Sequence, residues 1–197
     1  MSEVTLHLGD CLDILPTLPE QSAEAIITDL PYGTTACAWD EIIPFAPMGA
    51  AVKRVLKPRG VFVTTASQPF TSKLVMSNLE WFKYEWIWDK GFGNDFQLAN
   101  IRPLKAHENI VMFGCNGTNY YPLKTKRIKP IDARNWKFSH IKDSKHDRFR
   151  SDENQLKKIY IDRYPDSIIR ISSQERENNN TNKLHPTQKP VALYTYL

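Results

Sequence analysis

A chain of 197 residues, 41% hydrophobic and 24% charged, has enough apolar material for one domain with a smaller appendage, which excludes wholesale disorder. It carries no bilayer-length apolar run, no signal-peptide pattern and no C-x-x-C among Cys11, Cys37 and Cys115, so membrane insertion, a disulfide framework and a metal site are not expected and a cytoplasmic protein is. The net charge of +4 conceals an asymmetry: residues 1–118 hold 9 Lys/Arg against 13 Asp/Glu, whereas 119–197 hold 17 against 9, which points to an anionic partner for the second part.

In chain order, Val4 to Leu8 alternates as a strand does and ends at Gly9-Asp10, with a helical turn expected over Cys11 to Leu18. Asp10 is placed to cap that turn. Ala25 to Thr28 reads as a short buried strand that runs into Asp29-Leu30-Pro31-Tyr32-Gly33. A helix is expected from about Pro44 to Leu56, with Ala51, Val52, Val55 and Leu56 on one face and Lys57-Pro58-Arg59-Gly60 closing it. Val61 to Thr65 reads as a strand, Pro69 to Leu79 as a helix, and Tyr84 to Trp88 and Asn109 to Phe113 as two further strands. This rhythm implies an α/β fold whose sheet is mostly parallel, with the last two strands as an antiparallel edge.

From Asn116 the composition turns polar. Between Lys124 and Arg150 there are 10 basic residues and 3 acids, interleaved with Tyr120, Tyr121, Trp136, Phe138 and Phe149 at and around that stretch. Cations mixed with stacking rings suit nucleic acid better than a merely solvated face, and Lys124, Lys126, Arg127 and Lys129 are the candidate phosphate contacts. Leu156 to Ile161 and Ser167 to Ile171 could be short strands or a helix; 177–182 is an Asn-rich, low-complexity run. His185-Pro186-Thr187-Gln188-Lys189-Pro190 then introduces Val191 to Leu197, which reads as the start of a helix, with Thr187 able to cap it. Domain limits are expected at 1–116, 117–183 and 184–197.

Asp29-Leu30-Pro31-Tyr32 at a strand's carboxyl end is the strongest chemical feature, because ligands of open α/β sheets bind outside that rim. An ordinary turn would use the same residue types. Four segments together tip the balance. The tetrapeptide resembles the (D/N/S)-P-P-Y signature of amino-group DNA methyltransferases. Val55–Val61, Arg102–Asn109 and the H-P-T-Q-K-P box at 185–190 resemble further segments in the order of the family's permuted β class, of phage and bacterial type.

That resemblance implies a partial Rossmann-like methyltransferase sheet, with 117–183 as a basic target-recognition insertion. It implies S-adenosyl-L-methionine as cofactor and double-stranded DNA with a flipped adenine as substrate. Asp29 and the Leu30 carbonyl would accept the two N–H bonds of the target amine, with Pro31 stiffening the turn and Tyr32 stacking on the base. Asp10, Thr187 and Lys189 would lie toward the cofactor, and Trp39-Asp40 would line the base pocket or join the core. Asp at the first motif position favours adenine-N6 over cytosine-N4. Leu30 departs from the family's first proline, at some cost in rigidity. A strand and glycine loop expected after the last helix are absent, so the chain alone is expected to bind the cofactor weakly, methylate little and leave the Ala25 to Thr28 strand with an apolar edge. A missing C-terminal half as partner, and a catalytically silent DNA-binding remnant, follow as alternatives. Burial of Asp29 in an ion pair away from any opening, or Tyr32 turned wholly inward, would defeat the assignment.

Overall fold

The structure is a computed structural model that describes residues 3–115, 117–132, 159–172 and 187–197. Two compact units divide it, one of Met1–Asn119 with Ser167–Leu197 and one of Tyr120–Asp166. Of the expectations above, those on Trp136, Phe138, Phe149, 177–182 and His185-Pro186 lie outside the described residues.

In the first unit, helix α1 (Cys11–Ile14) runs into a 3-10 turn, Leu15–Thr17. Strand β1 (Ala23–Asp29), helix α2 (Phe45–Val55), strand β2 (Leu56–Ala66), helix α3 (Phe70–Ser77), strand β3 (Phe82–Asn94) and strand β4 (Lys105–Gly114) follow. The five-stranded sheet is ordered β1-β2-β4-β3 and then a last strand, Ile168–Arg170. β1 and β2 are parallel, β4 is antiparallel to β2 and β3, and the last strand lies parallel to β3. The antiparallel pair thus stands on the side of the sheet where it was expected, with one more strand added beyond it.

Two cores form because side chains alternate across a strand. On β2 and β4, Phe62, Ala66, Val111 and Phe113 face one way, against Met48 and Val52 of α2 and Phe70 and Leu74 of α3. Val63, Ile110 and Met112 face the other way and meet Trp88, Ile169 and Leu193. α2 buries Met48, Gly49, Val52 and Val55, a spacing that returns to one helix face every turn. Its Pro47 sits in the first turn, where the missing N–H costs nothing. The expected turn at Lys57–Gly60 does not form. Leu56 is already extended, and these residues are the first of β2.

The expected strand Val4 to Leu8 is not one. Its residues pair with no neighbour, and Val4, Leu6 and Leu8 are almost fully exposed. An alternating pattern makes a strand only where another strand can take its backbone hydrogen bonds. β1 ends the sheet order, and on the face that Val63 shares with Leu193 its Ile27 is exposed, while Ile26 packs on the opposite core. Downstream, β5 (Thr125–Asp132) pairs with β6 (Ile159–Arg163) in the second unit, and β7 (Ile168–Arg170) lies beside β3. Of the two segments whose type was open, 156–161 and 167–171, the described parts thus hold strand, and 156–158 lie outside the described residues. Helix α4 (Val191–Tyr196) begins at Pro190 and buries Leu193 fully. Among the described residues no helix is long and apolar enough to cross a membrane.

Candidate active site

The loop after β1 is organised by one carboxylate. Asp40 Oδ1 accepts the N–H groups of Tyr32 (2.7 Å) and Gly33 (2.9 Å), and Oδ2 accepts those of Thr34 (2.9 Å) and Thr35 (2.7 Å) and the Thr35 hydroxyl (2.8 Å). Gly33 permits the turn, with φ +63 and the place of a Cβ only 2.7 Å from Ile42. Burial works against the Asp40 charge, but the Thr35 hydroxyl and the amides of Gly33, Thr35 and Thr34 outweigh it and hold its carboxyl down at about 2. Asp40 is buried and Trp39 beside it is half exposed, so the two side chains stand in different surroundings.

Asp29 is the last residue of β1, opposite Thr65 of β2, and both stand at the carboxyl rim of the sheet. Oδ1 of Asp29 accepts from the Thr65 hydroxyl, from the Tyr32 hydroxyl at 3.0 Å and from Lys189 Nζ at 3.1 Å, and Oδ2 accepts from the same ammonium at 2.9 Å. The Asp29 side chain remains 30% exposed. The ion pair therefore lies at the rim and not in the interior.

Lys189 also reaches Glu108 Oε2, 3.5 Å away, and Glu108 Oε1 pairs with Lys90. Both partners of that second pair are nearly buried, which holds them in one arrangement because neither charge could stand there alone. Alternation explains the gathering. Glu108 shares its face of β4 with Ile110 and Met112 and lies opposite Trp88 on β3, so Asp29, Thr65, Glu108 and Lys90 all belong to the face that α4 covers. The entry of α4 through the buried Pro190 sets Lys189 between the two carboxylates.

Tyr32 is half-buried. Its ring packs on Phe70, with centroids 5.3 Å apart, and its hydroxyl spans the same two acids, 3.0 Å from Asp29 and 3.4 Å from Glu108. Burial, then the charges of Glu108 and Asp29, push its phenol far above the ordinary range, so it stays a proton donor. Burial and the same two charges raise Tyr194 to about 12. Leu30 is buried in the core and Pro31 is partly covered. Close to these groups, Lys105 donates to Ser67 and burial lowers its pKa.

Of the expected residues, the structure brings together Asp29, Leu30, Pro31, Tyr32 and Lys189. Asp10 is exposed and caps α1, with Oδ1 accepting Leu12 N–H at 2.8 Å. Thr187 is exposed two residues before Lys189. In the second unit, Lys124 and Lys129 are exposed, with Lys124 over the Tyr164 ring at 4.4 Å. Lys126 pairs with Asp162 at 3.1 Å, and Arg127 donates to the Asp162 carbonyl. Sequence reasoning missed Thr65, Lys90, Glu108 and the work of Asp40. The available signal was a Lys and a Glu at inward positions of apolar strands, which only a charged partner tolerates. Among the described residues no three His, Cys, Asp or Glu side chains gather as a metal would need.

Comparison with known proteins agrees with this arrangement. A family model described as DNA methylase, N6_N4_Mtase, matches residues 23–197. Among solved structures the chain is similar to PvuII DNA methyltransferase (cytosine-N4-specific), at TM-score 0.56 and 15% identity over 95% of this chain and 66% of that one. It is also similar to M1.HpyAVI in its complex with SAM, at TM-score 0.53 and 18% identity over 95% of this chain and 72% of that one. These likenesses are of fold, and the chain spans just under two thirds of the first. The family match covers nearly the whole chain, and with it the rim that carries Asp29 and Lys189: the protein belongs to the N6_N4_Mtase family of DNA methylases.

Proposed function

We propose that the chain is the catalytic part of an enzyme that methylates the N6 amino group of adenine in DNA. The observation that carries this reading is the Asp29 side chain at the sheet rim, flanked by Tyr32 and still open to solvent. An exocyclic amine is a poor nucleophile because its lone pair is delocalised into the ring. Asp29 accepts one of its N–H bonds and the Leu30 carbonyl the other, which draws the nitrogen toward tetrahedral geometry. Fixed acceptors aimed at the positive charge that develops on nitrogen are electrostatic preorganisation. Asp29 has no need to take the proton first, since the methylated nitrogen is strongly acidic. The target base must leave the duplex to reach a rim of this kind, and Tyr32 offers it a ring face.

S-adenosyl-L-methionine would supply the methyl group on a sulfonium. The residues suit it in kind: exposed Asp10, with one oxygen on the Leu12 amide, keeps acceptor capacity for the nucleoside. Asp10 and Thr187 are the proposed cofactor contacts. Lys189 is engaged by Asp29 and Glu108, so any cofactor contact from the same ammonium would share it with them. Double-stranded DNA is the proposed partner, with Lys124, Lys126, Arg127 and Lys129 as salt-sensitive phosphate contacts.

Cytosine-N4 is the second reading, favoured by no residue here over adenine. The choice is tested by methyl transfer from labelled cofactor at micromolar and at millimolar concentration, followed by digestion of the DNA to nucleosides. Label in N6-methyladenine is expected. Label in N4-methylcytosine would replace the target, and DNA binding with no transfer under either condition would establish a silent DNA-binding protein.

A further inference from the structure

Lys189 stands where the substrate should be. Its ammonium touches both oxygens of Asp29, at 2.9 and 3.1 Å, and lies over the Tyr32 ring, 5.5 Å from the centroid. Those are the acceptor and the aromatic face that the reading above gives to the target base, and the inference rests on that reading. A base amine cannot occupy them while Lys189 does. Nor would a cation held against Asp29 help a nitrogen that becomes positive as it is methylated.

The same geometry supplies an exit. Glu108 Oε2 is 3.5 Å from the Lys189 nitrogen and 3.4 Å from the Tyr32 hydroxyl, so two of the three donors on Asp29 already border a second acceptor, the Thr65 hydroxyl being the third. Glu108 Oε1 is committed to Lys90, which fixes the carboxylate and leaves Oε2 pointed at the two donors. A lysine ammonium carries three donors on a flexible stem, so the exchange needs a small rotation and no backbone motion. We infer that Lys189 is a hand-over residue: it occupies Asp29 in the empty site and passes to Glu108 when an amino group takes its place. Asp29 thus gives up the lysine's charge when the neutral amine binds, and faces a cation again only as the substrate nitrogen becomes positive during transfer. Lys189 is a positioning residue in this scheme, and Glu108 the group that receives it.

The test uses the full chain and 9-methyladenine as probe, with affinities read by NMR titration. If Lys189 competes for Asp29, Lys189→Met binds the probe about fivefold or more tightly than the wild type, the smallest effect counted as coupling. Glu108→Gln, which weakens the exit, binds it severalfold less tightly, and this loss disappears in the Lys189→Met background. In the wild type, where no variant can misfold, the 15Nζ resonance of Lys189 and the side-chain carboxyl resonance of Glu108 shift together as the probe is added. Asp29→Asn serves as the control for the site itself. Binding that depends on Asp29 but is unchanged or weakened in Lys189→Met, with a static Lys189 resonance, overturns the hand-over and leaves the proposed function standing. No binding to either the wild type or Lys189→Met overturns both.

Discussion

Replacing Asp40 by Asn should lower stability by about 3 kcal/mol, near the upper end of single-substitution effects, although size and shape are preserved. The two Asp40 oxygens accept four backbone N–H groups and a hydroxyl. An amide turns one of those acceptors into a donor. It then meets either the Tyr32 and Gly33 amides or those of Thr34 and Thr35, and at least two N–H groups lose their partner. The loss is measured by the midpoint of urea unfolding at pH 7. A parallel pH dependence follows from the depressed pKa. Because the folded value, about 2, lies below the unfolded one, the Asp40 charge contributes its full stabilisation above about pH 4 and loses it as pH falls toward 2. The wild type should therefore shed about 2 kcal/mol over that interval, and Asp40→Asn should not show this component. A variant as stable as the wild type would mean that the loop does not depend on Asp40.

The largest effect on activity is expected for Asp29→Asn, with methyl transfer falling about 100- to 1000-fold, the usual loss when one fixed electrostatic contact to the reacting group is removed. The amide keeps the shape but carries no charge, and its NH2 can face the incoming amine with a donor. Stability should change little, because Asp29 is at the rim and Lys189 retains Glu108 as partner. The assay is labelled transfer to DNA under the conditions given above, with thermal melting as control. A small fall in transfer with the fold intact would move the chemistry away from Asp29.

Much of this was legible in the chain, and for definite reasons. The alternation of Val61 to Thr65 and Asn109 to Phe113 with the helical periods of 44–56 and 69–79 fixed which elements form, since those residues bury their apolar faces on one another. The position of Asp29 at a strand end was equally readable. The Val4 to Leu8 pattern misled because periodicity reports the capacity to pair and not the presence of a neighbour. Asp40 was hidden for another reason: four of its five donors are backbone amides, which every residue type but proline carries, and the Thr35 hydroxyl alone leaves little to find in the sequence. Glu108 and Lys90 are brought together by the register of β3 on β4, and Lys189 reaches Asp29 across 160 positions, which no local pattern encodes. The short β7 could not be assigned from its own residues, because its place beside β3 comes from pairing alone.

The central claim is that the carboxylate at position 29 takes hold of a nucleobase amine. It is tested most directly by proton NMR of 9-methyladenine labelled with 15N at its amino group, bound to the chain. The account predicts that one of the two amino protons moves downfield on binding while its geminal partner moves less, and that Asp29→Asn removes the difference. Amino protons that stay where they are in the bound state, or a difference between them that persists in Asp29→Asn, would contradict it.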